Sequence, residues 1–217
     1  MNSLRRNLLA AACIAAFSAG AQAQNTVKIA GLYELSGAGA TSGTMFKNGV
    51  DMAVREINEA GGILGKRIEH SISDTQSNPG VAKGLATKAI DDNAFAVFGP
   101  VFSGSILVSM AETKRAETPN FTGGEAAAIT KQGNPYIFRT SFTQDTAMPK
   151  VARYIANNLK AKNVAVIYVN NDFGKGGRDA ITKAFTDVGI KVIADISTES
   201  GQIDFSAPVL KAKGANA

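Results

Sequence analysis

One stretch joins an apolar run to a pair of hydroxyls: Phe95-Ala96-Val97-Phe98-Gly99-Pro100-Val101-Phe102-Ser103-Gly104-Ser105. The run stops at Gly-Pro, and Ile106, Leu107, Met110 and Ala111 then follow at helical spacing. That pattern predicts a buried parallel strand whose carboxyl end opens onto a helix N-terminus. Unpaired backbone N–H groups and the positive end of the helix dipole collect at such a place, which suits a carboxylate or phosphate. In open α/β sheets ligands sit at the carboxyl ends of strands. Taken alone, the stretch reads first as an ordinary capped helix, with Ser103 or Ser105 satisfying only its own N–H groups.

A second stretch, Gly37-Ala38-Gly39-Ala40-Thr41-Ser42-Gly43, follows an apolar strand pattern and opens a helical one. It nearly spells a dinucleotide-binding fingerprint, with two departures. Tyr33 to Ser36 separate the strand from the first glycine, and Asp74 lies 35 residues past Gly39, where the fingerprint expects an acid after about 20. The alternative reading places Thr41 and Ser42 at the mouth of a ligand cleft. His70 is the sole histidine and falls within a strand pattern, as a packed or edge residue. With no second histidine, neither a zinc site nor a Ser–His–Asp triad can be assembled around it. Ser103 is not in a nucleophile-elbow motif, because Val101 stands at the first glycine position. Lys47, in Thr44-Met45-Phe46-Lys47, reads as a solvated helix residue, and Phe95, Phe98 and Phe121 read as core. No catalytic constellation is expected, and no cofactor or metal.

The elements that must position these residues alternate between strand and helix. Strands are predicted over Val27–Leu32, Ile68–Ser73, Phe95–Phe98, Pro119–Thr122, Tyr136–Thr140, Val164–Val169 and Ile190–Thr198. Between them lie helical patterns: Met45 to Ala60 (apolar positions Met45, Val50, Met52, Ala53, Ile57, Ala60), Pro79 to Ile90 with Asn78 as cap, Ser105 to Arg115, Gln144 to Leu159, and Lys175 to Val188. Another is expected from Asp204 to Lys213. Such alternation predicts an α/β fold built on doubly wound parallel sheets. The extended stretch around Arg139–Asp145 divides it into two lobes, residues 24–141 and 142–217, and the second lobe holds only two strands.

At 217 residues the chain can bury a full core. Its first 23 residues carry Arg5 and Arg6, an apolar stretch from Leu8 to Phe17, and Ala21-Gln22-Ala23. Together these predict a secretory signal peptide cleaved after Ala23. The apolar stretch is too short to span a bilayer. The sole cysteine, Cys13, would leave with that leader, so disulfide and thiolate chemistry are not expected. Loss of the two arginines would lower the formal charge from +5 to +3. The remaining basic residues are scattered rather than clustered, so nucleic acid is not an expected partner.

The chain resembles the periplasmic substrate-binding proteins of branched-chain amino acid ABC transporters, the Leu/Ile/Val-binding type. The residues that carry the likeness are Val27-Lys28-Ile29-Ala30 with Leu35-Ser36-Gly37, and the run Glu56-Ile57-Asn58-Glu59-Ala60-Gly61-Gly62-Ile63-Leu64-Gly65. Asp74, Gly99 with Ser103, Tyr136-Ile137-Phe138-Arg139-Thr140 and Asp172-Phe173-Gly174 complete it. The resemblance implies a type I-like periplasmic binding fold, with two α/β lobes closing on a ligand, and a monomer that docks on an ABC transporter permease. Members of that family are considerably longer, so the resemblance implies a chain truncated within its second lobe.

By position, the resemblance makes Ser103 the hydroxyl that grips a ligand carboxylate, assisted by backbone groups near Gly104 and Ser105. Gly124 falls at a backbone-contact position, Ala126 where the family typically has Thr, and Phe173 where it typically has Tyr. Both departures remove a hydroxyl, and the family's acidic partner for the ligand ammonium lies beyond residue 217. Glu125 would supply a negative partner if it faced the cleft; otherwise it is a solvated loop acid. The expected ligand is a small carboxylate: a branched-chain or related amino acid, or an aromatic carboxylate lying against Phe173. An exported ligand-sensing receptor domain is the alternative, and a dinucleotide-binding enzyme using Gly37–Gly43 a further one.

Overall fold

The structure, a computed structural model, describes residues 26–216. The expected leader, Met1–Ala23, and Cys13 within it lie outside the described residues. All seven predicted strands are present: β1 (Thr26–Tyr33), β2 (Arg67–Asp74), β3 (Ala96–Phe98), β4 (Asn120–Thr122), β5 (Ile137–Arg139), β6 (Asn163–Val169) and β7 (Lys191–Thr198). The first five form one parallel sheet in the order β2-β1-β3-β4-β5, and β6 pairs with β7 in parallel in a second. This is the α/β architecture that the strand–helix alternation implied.

β1 lies between β2 and β3 and alternates its two faces between two layers of helix. Ala30 and Leu32, with Val97 of β3, pack against Ala86 and Ala89 of α2 (Pro79–Asp91). Val27 and Ile29 face the other way, toward Val50, Ala53 and Ile57 of α1 (Ala40–Glu59). The crossover β1–α1–β2 therefore runs on one face. The crossovers through α2 and α3 (Ser103–Arg115) run on the other, as right-handed connections require when the strand order reverses. A further core cluster joins Ile106 and Met110 of α3 to Ala126, Ile129 of the short α4 (Ala128–Lys131), and Ile137. The second sheet carries its own core: Ala152 of α5 (Gln144–Tyr154), Ile181, Ala184 and Phe185 of α6 (Asp172–Asp187), and Ile190. α7 (Ser206–Gly214) follows β7.

Several expectations are corrected. Met45 and Met52 on α1 are exposed, and Phe95 is 69% exposed rather than core. Phe98, Phe121 and Phe138 stack in a ladder along one face of the sheet, with successive ring centroids 5.1 Å apart, and Phe138 is exposed. Met45, Val50, Ala53 and Ile57 of α1 line one side of an open groove over that face, so the spacing is amphipathic without being fully buried. α6 starts at Asp172 rather than Lys175, because the Asn171 side chain accepts from the Gly174 N–H at 2.9 Å and caps it three residues earlier. α4 and the π-helical turn at Ile155–Leu159 were not predicted.

Candidate functional site

Since β2 and β3 flank β1 and are reached by crossovers on opposite faces, the loops after β1 and β3 diverge and leave a crevice at the carboxyl edge of the sheet. A cleft of about 770 Å³ lies there. Its walls come from the segments that follow six strands: Gly37, Ala38 and Ser42 after β1, Gln76 and Ser77 after β2, Val101–Ser105 after β3, Gly123 and Glu125 after β4, Val169 and Asn171–Phe173 at and after β6, and Ser200 and Gly201 after β7. The cleft thus lies between the two sheets.

α3 enters it by its N-terminus. Phe102 precedes the helix and offers no capping side chain. Helix geometry leaves the N–H groups of Ser103, Gly104 and Ser105 without an acceptor one turn back. Both serines are buried and line the cleft. Ser103 Oγ accepts from the Ala126 N–H at 3.3 Å, whereas Ser105 Oγ, on a residue 1% exposed, has no hydrogen-bond partner. A buried hydroxyl left unpaired costs free energy comparable to a lost hydrogen bond. It lines the same cleft as the helix terminus.

After β4 the chain alternates in direction. Gly123 and Glu125 face the cleft, while Gly124 lies against Ile106 and Ile129 and the Ala126 side chain is buried in their cluster. Ala126 is thus not a cleft wall; its part is the N–H given to Ser103. The Arg139 guanidinium fixes this turn from behind, donating to the carbonyls of Gly124 and Ala126 and to Thr130 Oγ1. Burial pushes the Glu125 carboxyl above its ordinary value, and nearby Arg139 opposes the shift.

The second sheet contributes the end of β6 and the first turn of α6. Phe173 presents a 42% exposed ring to the cleft, and its carbonyl is held by Gln144 Nε2 at 2.8 Å. Asp172 reaches across to α3. An ideal Cβ at Gly104 would stand 3.0 Å from Asp172 Oδ2, so the approach relies on the missing side chain. Among the described residues the charged side chains of the cleft wall are Glu125 and Asp172; lysine, arginine and histidine are absent from it. Sequence alone gives Asp172, Arg139 and Gln144 no role at the site, although Asp172 and Arg139 stand in runs that carry the family likeness. Asp172 stood inside the Asp-Phe-Gly run and its position was the available signal.

The glycine stretch after β1 forms part of the cleft wall and is tied to the loop after β2. Ser42 lines the cleft as expected, and Thr41 is not among its walls. The Gly39 N–H donates to Ser77 Oγ at 2.9 Å. Asp74, the acid nearest to the role of ribose partner, accepts from the N–H groups of Leu35, Ser36 and Gln76 and from Ser36 Oγ. Both oxygens of Asp74 bind its own loops, which argues against a dinucleotide reading.

Comparison with known proteins agrees with this geometry. The chain is 34% identical over 212 residues to the leucine-, isoleucine-, valine-, threonine-, and alanine-binding protein of Pseudomonas aeruginosa, an alignment covering 96% of this chain and 56% of that one. The structure superposes on the branched-chain amino acid transporter substrate binding protein LivJ of Streptococcus pneumoniae, solved in complex with isoleucine. The TM-score is 0.79 at 31% identity, over 87% of this chain and 54% of that one. It is also similar to the leucine binding protein LivK of Thermotoga maritima, with a TM-score of 0.81 at 28% identity over 88% and 54% of the two chains. The chain spans a little over half the length of the curated relatives it matches. With the family described as periplasmic binding protein matching residues 26–217, over the same elements that build the cleft, the chain belongs to that family.

Proposed function

We propose that this chain is an exported solute-binding protein that captures a zwitterionic α-amino acid, branched-chain or related, in the cleft between its sheets for delivery to an ABC importer. The observation that carries this reading is the buried, unpartnered Ser105 hydroxyl beside the uncapped N-terminus of α3. A ligand carboxylate placed there would accept from the free N–H groups and the Ser103 and Ser105 hydroxyls, and would be favoured by the helix dipole. Glu125 from one side and Asp172 from the other would balance the ammonium, and Phe173 would cover the apolar side chain. An aromatic carboxylate brings only negative charge to a wall whose charged groups are acids, so the amino acid is the favoured class.

In this reading the leader is removed after Ala23, the protein works as a monomer, residues 24–141 are the N-terminal ligand-binding lobe and 142–217 part of the C-terminal one, and the lobes close on the ligand by a hinge motion. Its role is capture rather than catalysis, consistent with the relatives' names as binding proteins. Ser105→Ala tests it. L-Leucine affinity, measured by calorimetric titration, should fall by about 1–3 kcal/mol. The melting temperature of the free protein should hold or rise, because the hydroxyl has no partner to lose. Unchanged affinity would remove Ser105 from the site.

A further inference from the structure

The proposed grip depends on which N–H groups at the head of α3 are free, and one buried side chain decides that. Glu34, the residue directly after β1, is 0% exposed. Its carboxylate accepts from the Val101 N–H at 3.0 Å and the Phe102 N–H at 3.1 Å, reaching the loop between β3 and α3 across 67 residues of sequence. Burial pushes the carboxyl above its ordinary value, and the N–H bonds from Val101 and Phe102 pull the other way. Room for Glu34 comes from the glycine stretch. An ideal Cβ at Gly43 would stand 2.1 Å from the Glu34 carbonyl oxygen, and one at Gly39 would be 2.8 Å from Glu34 Cβ and from the Phe102 ring. Gly39 and Gly43 thus leave room for the Glu34 backbone and the stem of its side chain.

We infer that Glu34 is a positioning residue for the ligand site: by taking the Val101 and Phe102 N–H groups it fixes the loop, so that the next three, on Ser103, Gly104 and Ser105, point into the cleft. The inference rests on the amino-acid reading for its ligand, but the hold on the loop stands on its own geometry. Glutamine at this position keeps the shape and loses one acceptor. Its amide N–H₂ would face a backbone N–H that can only donate.

The test is Glu34→Gln in the intact protein, with two readouts. Calorimetric titration with L-leucine, well below the melting temperature, should show affinity weakened about tenfold or more, as for loss of a hydrogen bond to a charged group. Amide hydrogen exchange, without ligand, should show slow Val101 and Phe102 amides in the unmodified protein and faster exchange for at least one of them in the variant. A purely structural role would lower the melting temperature and leave L-leucine affinity unchanged, and that result overturns the inference. Fast exchange at both Val101 and Phe102 in the unmodified protein also overturns it, and needs no variant. If the unmodified protein fails to bind L-leucine, the amino-acid reading fails, and the exchange measurement still decides whether Glu34 holds the loop.

Discussion

Ser103 and Ser105 stand two apart at the start of one helix, yet the structure gives them different work. Ser103 Oγ accepts from the Ala126 N–H and so joins the α3 terminus to the turn after β4, while Ser105 Oγ is unpaired. Ser103→Ala should therefore weaken L-leucine binding by about 1–3 kcal/mol and lower the melting temperature as well, since a buried N–H loses its acceptor. A melting temperature equal to that of the unmodified protein would show that the Ala126 contact contributes nothing. Of the residues picked from sequence, Ser42, Ser103, Gly104, Ser105, Glu125 and Phe173 all meet at the cleft. Gly124 and Ala126 have their faces in the core, a distinction of chain direction that a single loop sequence does not encode. Glu34 was invisible for a different reason: its partners lie 67 and 68 residues away, and only strand order brings them together.

Strand and helix positions were legible because buried parallel strands read as apolar runs and the helices between them as amphipathic patterns. What spacing did not show was which apolar face stays open, as at Met45, Met52 and Phe95. The pattern also placed His70 as a packed or edge strand residue, and it lies on the edge strand β2, its ring held between two partners. Its Nδ1 lies 3.0 Å from Asp51 Oδ1 on α1, and its Nε2 lies 2.9 Å from the Tyr33 hydroxyl on β1. Burial holds the ring below the ordinary histidine value, against the opposing pull of Asp51. The fold thus favours the neutral ring, so the unfolded chain takes up a proton first as pH falls through about 6.5, and stability drops there. Comparing urea unfolding at about pH 7.5 and pH 5.5, His70→Gln should lose less stability than the unmodified protein over the interval. An equal loss in both would exclude His70 as its source. At the head of α1, Gly43→Ala presses a methyl onto the Glu34 backbone, and overpacking of that kind costs about 1–3 kcal/mol or more, readable as a lowered melting temperature. A melt identical to the unmodified protein's would mean that α1 shifts freely on β1.

At the scale of the whole molecule, the cleft is walled by segments that follow the strands of both sheets, and at the head of α3 the bare Gly104 leaves space for Asp172. Gly104→Val fills the space that Asp172 occupies and should hold the sheets apart, lowering L-leucine affinity while leaving the helical and strand content unchanged by circular dichroism. Retained affinity would show that the cleft binds without this approach. In the proposed function the cleft takes a zwitterion, its carboxylate at the head of α3 and its ammonium between Glu125 and Asp172. Calorimetric titration of the unmodified protein with L-leucine and with benzoate, in parallel, tests it most directly. L-Leucine should bind saturably and benzoate not at all. Binding of benzoate without L-leucine, or of neither, would contradict it.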